Sequence, residues 1–379
     1  MEEPDSHEKS KLDRRTFLAA GAGAAAAAGI TGTLAAAEAK AQPTPASHPH
    51  EQNAFDSTAP QRDSGGSGGV VLETVTGPLR GNQVEWALEH EHLFVDFLGA
   101  KDPAYQDVDW ADVTGACVNS VLELRAQGIN LFVEYTPMGV GRNVLLTRNV
   151  ARQTGMAMVC ASGIYRASFG IPPEFKQMGA AELAGHFVRE LTLGVDGSHI
   201  RAGFIKIAVD DDGPKPADVV VYRAAARAAK KTGCTIGLHA FAVDAMRAAV
   251  KILVEEGFDL RRFVWAHANY TPTIADHMDM AARGASVSYD ATTVGGAPTE
   301  EVLLDWIEAM IEAGFGGKVL LSTDSTIYVN PQASQYGYQN TYLFRVFKPK
   351  LEDRFGTRVT QKLLRDNVIF AYRRGDNVT

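Results

Sequence analysis

Cysteine is scarce: Cys117, Cys160 and Cys234 form an odd set in apolar stretches, with no Cys-x-x-Cys spacing among them. They read as core residues, and a domain of this size needs no disulfide staple. Basic charge is scarce as well. The net charge is −8, and the Lys and Arg residues are spread along the 379 positions, so no basic face offers itself to phosphate backbones. Nucleic acid is not an expected partner. No Gly-x-Gly-x-x-Gly opens a first helix, and the nearest glycine cluster, Met138-Gly-Val-Gly-Arg142, follows a second apolar run and reads as a loop turn. A bilayer-spanning run is missing too. The Ala- and Gly-rich stretch ending near Leu34 is only weakly apolar and has no aromatic or Leu-rich belt, so no stable membrane anchor is expected.

That stretch follows Lys11-Leu-Asp-Arg-Arg-Thr-Phe-Leu18, with Arg14 and Arg15 paired, and precedes a small-x-small site at Ala39-Lys-Ala41. Residues 1–41 look like a bacterial twin-arginine signal, which implies the twin-arginine machinery as a partner and a periplasmic or extracellular location. Residues 42–69 are Pro-, Ser-, Gln- and Gly-rich and read as a disordered linker, in which His48 and His50 lack the fixed geometry a metal site needs.

Residues 70–379 have the mixture of a folded enzyme with many tight connections: across the whole chain, 45% of residues are apolar, 22% are charged and 36 are glycine. Short apolar runs cover 86–92, 130–135, 157–162, 203–209, 234–239, 263–267, 285–289 and 318–322. Amphipathic stretches lie between them, including 112–127, 216–232, 243–256 and 300–313. Eight βα repeats in this length predict an α/β fold, a closed (β/α)8 TIM barrel, where an open doubly wound sheet usually stops at five or six strands.

Barrel chemistry sits at the C-terminal ends of the strands, so polar residues there carry the functional question. His90 and His92 end the first run, Lys206 lies in the fourth, His239 and His267 end the fifth and sixth, and Asp324 follows the eighth. Two residues apart on a strand, His90 and His92 share a face toward the barrel axis, with Glu89 and Glu91 expected to face the helices. Singly, each His reads at least as well as a hydrogen-bonded core residue; their coincidence at one barrel mouth points to a metal. Lys206 is costly among apolar neighbours unless it is modified or paired, with Asp210, Asp211 or Asp212 as the available counter-ions.

The chain resembles the phosphotriesterase family of the amidohydrolase superfamily from Thr76 to Tyr372. The resemblance rests on Gly77-Pro-Leu79, Glu89-His-Glu-His-Leu93, Gly141-Arg-Asn143, Gly163-Ile-Tyr165, Arg201-Ala-Gly-Phe-Ile-Lys206, Leu238-His239, Ala266-His267 and Leu321-Ser-Thr-Asp324. It implies two divalent ions: His90, His92 and Asp324 on the more buried one, His239 and His267 on the more exposed one. A CO2-derived carbamate on Lys206 would bridge them. Zinc leads among the ions such ligands accept, with Co, Mn and Fe also admitted. The implied enzyme is a metal-dependent hydrolase in which ions about 3.5–4 Å apart share a bridging hydroxide, with Asp324 as the catalytic proton acceptor. A homodimer is common in that family.

Two features depart from the efficient phosphotriesterases. An aspartate after the sixth-strand His and a histidine after the seventh-strand Asp are replaced by Tyr270 and Ala291, although Asp290 keeps the pattern. That loss of a proton relay favours a small-molecule lactone or carboxylic ester as substrate over an organophosphate triester. Tyr165 and Asp290 are candidate substrate contacts, and Arg166, Phe169 and Tyr328 lie where they could line the mouth. A mononuclear deaminase of the same superfamily would show a Glu at position 242, where Ala242 stands. A non-catalytic metal-binding barrel would keep the fold and lose ligands, yet every ligand position is filled.

Overall fold

The described chain begins with an antiparallel hairpin that hydrophobic periodicity does not announce, β1 (Val71–Thr74) and β2 (Gly77–Arg80). Each of the eight apolar runs then becomes a strand in the computed structural model, which describes residues 69–292, 298–331 and 341–375. They are β3 (Trp86–Asp96), β4 (Ile129–Glu134), β5 (Ala157–Ser162), β6 (Phe204–Ala208), β7 (Thr235–His239), β8 (Phe263–Ala266), β9 (Ser286–Tyr289) and β10 (Val319–Leu321). Neighbours in this series pair in parallel. A last strand, β11 (Thr326–Asn330), pairs with β3, setting Thr326 opposite His92 and Asn330 opposite Asp96. Between β10 and β11 the Asp324 N–H donates to His90 O at 3.1 Å and the His92 N–H to Ser325 O at 2.9 Å. The ring therefore closes, with β10 and β11 forming one eighth strand bent at Asp324, and the expected (β/α)8 barrel is the observed fold.

Helices follow the strands in alternation. Pro216–Thr232 has the expected bounds, whereas the stretch expected at 112–127 is the helix Trp110–Arg125. It starts early because the Asp109 carboxylate accepts from the Ala111 and Asp112 N–H groups and caps the first turn. Two compartments hold most of the core, beside a small third cluster of Val95, Val140, Tyr165 and Ala208. One lies between strands and helices and holds Cys117, Cys160 and Cys234, all free and buried as the sequence suggests. The other fills the barrel itself with Leu131, Val133, Tyr135, Val159, Phe204 and Val264, closed from below by Val368, Ile369 and Tyr372. Gly237 is needed there: a Cβ on it would lie 2.5 Å from the Tyr135 hydroxyl oxygen.

No helix among the described residues is long and apolar enough to cross a membrane. The signal expected at 1–41 and the linker expected at 42–69, apart from Gly69, lie outside the described residues, as do His48 and His50.

Candidate metal centre

Strand ends and the turns just past them bring the six expected ligands together. His90 and His92 project from β3, Lys206 from β6 and His239 from the last position of β7. His267 stands one residue past β8, and Asp324 sits at the bend between β10 and β11. Both of these last residues adopt left-handed backbone, with φ of 68° and 47°. Non-glycine residues in that region cost about 1–3 kcal/mol each and collect at functional sites.

Asp324 Oδ1 lies 3.1 Å from His92 Nε2 and 3.3 Å from His90 Nε2, and Asp324 Oδ2 lies 3.7 Å from His267 Nδ1. The nitrogens His267 Nε2 and His239 Nδ1 point at one another across 2.7 Å. His90, His92 and Asp324 form one group of three potential ligand atoms, and His90, His267 and Asp290 another.

Beneath the ligands, three buried groups set the tautomers. Asp290 Oδ2 accepts from His90 Nδ1 at 2.8 Å and Oδ1 from His267 Nδ1 at 2.9 Å. Burial pushes the Asp290 carboxyl up, but the His267 and His90 imidazoles outweigh it and hold the group below the usual carboxylate range. An ionised carboxylate only accepts, so each Nδ1 carries a proton and each ring turns its Nε2 away from Asp290 toward the cluster. His92 is set by a longer chain. Its Nδ1 lies 2.8 Å from Thr136 Oγ1, whose own proton goes to Glu134 Oε1 at 2.5 Å or to Phe94 O at 3.2 Å, so the hydroxyl accepts from His92. Burial keeps His90 down to about 3, with the Lys206 charge as a further cause, so its ring is neutral near pH 7.

His90 Nε2 and His92 Nε2 thus both turn a lone pair toward Asp324 Oδ1, at 3.3 and 3.1 Å, and the three atoms lie within 4.8 Å of one another. Such a set repels itself unless a positive charge lies among its members, which is the electrostatic signature of a cation site. The donor chemistry fits the divalent ions that the sequence implies.

Lys206 points into the same cluster. Its Nζ is 3.4 Å from His90 Nε2 and 4.0 Å above the Tyr135 ring, which itself stacks on His90. Two of the three counter-ions offered by the sequence are engaged elsewhere: Asp210 pairs with Arg166 at 3.0 Å and Asp212 with Lys215. Burial pushes the Lys206 ammonium down to about 7 against the pull of Asp324 and Asp290. A large fraction is therefore the free amine, the form that reacts with CO2.

Other expectations change on contact with the structure. Glu89 does not face the helices; it lies inside the barrel, accepting from Tyr372 Oη at 2.8 Å and from the Ser288 hydroxyl. The register of β3 slips between Leu88 and Glu91, which breaks the simple alternation used to orient it. Glu91 is also fully buried, bonded to Ser322, Thr323 and Ser325. Asp290, a candidate substrate contact, is fully buried under the imidazoles and positions them instead. Tyr328 lies away from the mouth, donating to Asp112 Oδ2 at 3.2 Å and packing on Phe94. Tyr165 does reach the cluster, with its Oη 3.3 Å from His239 Nε2 and its ring edge-on to Phe169. Arg166 lies over both Tyr165 and Phe169. Thr136 and Glu134 went unread; their one signal is the position of Glu134 at the end of β4, followed two residues later by a hydroxyl.

The sequence model of the phosphotriesterase family matches residues 70–369. A phosphotriesterase homology protein of Escherichia coli (strain K12) is 28% identical over 285 residues, spanning 74% of this chain and 96% of its own. An aryldialkylphosphatase of Saccharolobus solfataricus is 26% identical over 302 residues, spanning 79% of this chain and 91% of its own. Among solved structures, a mutant PTE-like lactonase from Deinococcus radiodurans superposes with a TM-score of 0.72 at 26% identity, covering 79% of this chain and 99% of its own.

Proposed function

We propose, for a chain that belongs to the phosphotriesterase family, hydrolysis of lactones or carboxylic esters at two divalent cations held by His90, His92, Lys206, His239, His267 and Asp324. The observation that carries this reading is the convergence of His90 Nε2 and His92 Nε2 on Asp324 Oδ1, at 3.3 and 3.1 Å. When bound, such ions supply a nucleophile at neutral pH and polarise the oxygen of the scissile bond. Zinc is the favoured ion, and Lys206 as its carbamate turns a repelling cation into an anion with two ligand oxygens.

The chain's own groups do the rest. Asp324 has a side chain 33% exposed, the most open of the carboxylates around the cluster, so it takes up the proton released on attack and returns it to the leaving oxygen. His90 and His267 are held in their ligating tautomers by Asp290, and His92 by Thr136. Tyr165, beside His239, bounds the mouth and orients the acyl group.

A carbonyl substrate is favoured because Tyr270 and Ala291 stand where an outward proton relay would be needed for a triester. Tyr270 packs on Phe241 with ring centroids 4.9 Å apart, adding an apolar wall. The likeness to an aryldialkylphosphatase supports phosphotriester hydrolysis as the second reading. Export through the twin-arginine route and a homodimeric assembly belong to the same proposal.

The test is a metal count together with kcat/KM for lactones, aryl esters and paraoxon. Two ions per chain with lactones fastest is the expected result, and paraoxon fastest selects the second reading. Hydrolysis of none of the three classes by the metal-loaded protein leaves only a binding barrel. Asp324→Asn should keep much of the metal and lose nearly all turnover; undiminished kcat removes its role.

A further inference from the structure

The end of the barrel opposite the ligand cluster carries a cavity of about 500 Å³. It lies between the β1–β2 hairpin, the second half of the helix Val144–Thr154, and the segment that leads from the helix Ala180–Thr192 into β6. These parts meet because the hairpin is tied to the strand starts: the Val75 N–H donates to Met158 O at 2.8 Å. Gly203, which leads into β6, donates in turn to Cys160 O at 2.9 Å.

Three arginines and a histidine line this cavity, Arg148, Arg152, Arg201 and His199, against one carboxylate, Glu73. That carboxylate is already committed. Arg201 grips it with Nε at 3.1 Å and Nη2 at 3.0 Å, and Arg374 Nε stands 3.5 Å away. Arg148 and Arg152 lie four positions apart on one helix face, where like charges repel. Among the described residues neither has a carboxylate within ion-pair distance, although the chain holds 45 acidic residues. Hydroxyls do not take their place as donors to an anion. The Thr192 hydroxyl donates to Val188 O at 2.7 Å and the Ser198 hydroxyl to Val195 O at 2.5 Å.

We propose that this cavity is a binding site for a phosphoryl dianion, with Arg148 and Arg152 as its principal donors. Two guanidinium forks match the charge and the several oxygens of such a group better than ammonium groups would. The volume exceeds what inorganic phosphate fills. Pro78 and Leu193, the latter 67% exposed, offer apolar surface at the same cavity for an organic portion, so a phosphomonoester fits better than the free ion. The site stands apart from the ligand cluster, and its ligand would brace the hairpin, a helix and the entry to the strand that bears Lys206. Binding therefore acts on stability rather than on the chemical step.

The experiment uses the metal-loaded protein, titrated calorimetrically with inorganic phosphate and with ribose 5-phosphate at constant ionic strength. Thermal melts accompany each titration. Wild type should bind both probes, and its Tm should rise by roughly 3 °C at ten times Kd. Arg148→Gln/Arg152→Gln should weaken binding at least tenfold and leave kcat on the best ester substrate unchanged. Tighter binding of ribose 5-phosphate supports an organic ligand, and equal affinities support free phosphate. Leu193→Glu, which adds a negative charge without touching either arginine, should also weaken binding. Binding undiminished in the arginine double variant places the anion at the metal ions and overturns the proposal. An equal Tm rise with chloride overturns it too.

Discussion

Asp290→Asn separates the two cation positions. In the wild type each carboxylate oxygen serves one imidazole: Oδ2 accepts from His90 Nδ1 at 2.8 Å, and Oδ1 from His267 Nδ1 at 2.9 Å. Oδ2 also accepts from the His267 backbone N–H at 2.9 Å. Asparagine keeps the shape but turns one acceptor into an NH2 donor. The amide oxygen will occupy the Oδ2 position, because two donors converge there, and the NH2 will then face His267 Nδ1–H. Two donors cannot share that contact. His267 escapes by moving its proton to Nε2, the atom that lies 2.7 Å from His239 Nδ1 and would otherwise ligate. Loss of an orienting partner behind a ligating histidine costs about 10- to 100-fold in metal affinity. That corresponds to about 1.4–2.8 kcal/mol, concentrated at the His239–His267 position. The assay is chelator competition with metal count, run beside a thermal melt. One ion should remain near wild-type affinity while the second weakens, with turnover falling in step. Two ions held with wild-type affinity would refute the assignment of tautomers.

Thr136→Val removes the hydroxyl that fixes His92 without changing side-chain volume, and should weaken the His90–His92–Asp324 position about tenfold in the same competition assay. Unchanged affinity there would show that His92 needs no support. Metal-stripped protein reconstituted with zinc should recover activity faster in bicarbonate than in CO2-free buffer, and the recovered chain should gain the mass of one CO2, which Lys206→Met should not. The buried Glu190 carboxyl is raised by burial, yet Arg142 at 2.8 Å outweighs this and holds it down to about 2 from an ordinary 4.5. Its contribution is complete above 4.5 and lost as pH falls toward 2, so urea titrations of metal-free protein should show an acid-limb loss of about 3 kcal/mol that Glu190→Gln removes. An unaltered limb in the variant would assign the acid loss elsewhere. Changing Arg14 and Arg15 to Lys should retain the chain in the cytoplasm in cell fractionation; unaltered export would discard the twin-arginine route.

Periodicity carried the barrel because each parallel strand is buried on both faces and reads as a short apolar run. All eight runs became strands, and the candidate ligands could be brought to one end of the barrel since a strand end is a definite position in it. The hairpin at Val71–Arg80 escaped because four-residue strands whose burial alternates weakly leave no period to detect. Orientation failed for a different reason. Assigning Glu89 outward assumed strict alternation along β3, and a slip in register is decided by pairing with β4, which no local pattern records. Asp290 and Thr136 show the same limit one layer deeper. Their roles depend on which ring nitrogen each one faces, 200 residues away from His90 in one case and 44 from His92 in the other.

Glu91 ties the sequence motif to the strained backbone opposite it. Between the two histidines of His90-Glu-His92, this buried side chain accepts from the Ser322 hydroxyl at 2.7 Å, the Thr323 N–H at 2.9 Å and the Ser325 N–H at 3.0 Å. The Thr323 hydroxyl adds a fourth donor at 2.7 Å. Burial pushes the Glu91 carboxyl up to about 8, while the donors around it pull the other way. Four hydrogen bonds at about 0.5–1.5 kcal/mol each sum to about 2–6 kcal/mol, against about 1–3 kcal/mol for left-handed backbone at Asp324. The bonds match or exceed the strain, and they hold the segment bearing Asp324 against the strand bearing His90 and His92. One tripeptide therefore supplies two candidate ligands and the clamp that sets the third, which is why the three candidate ligand atoms are already aligned by the protein's own contacts.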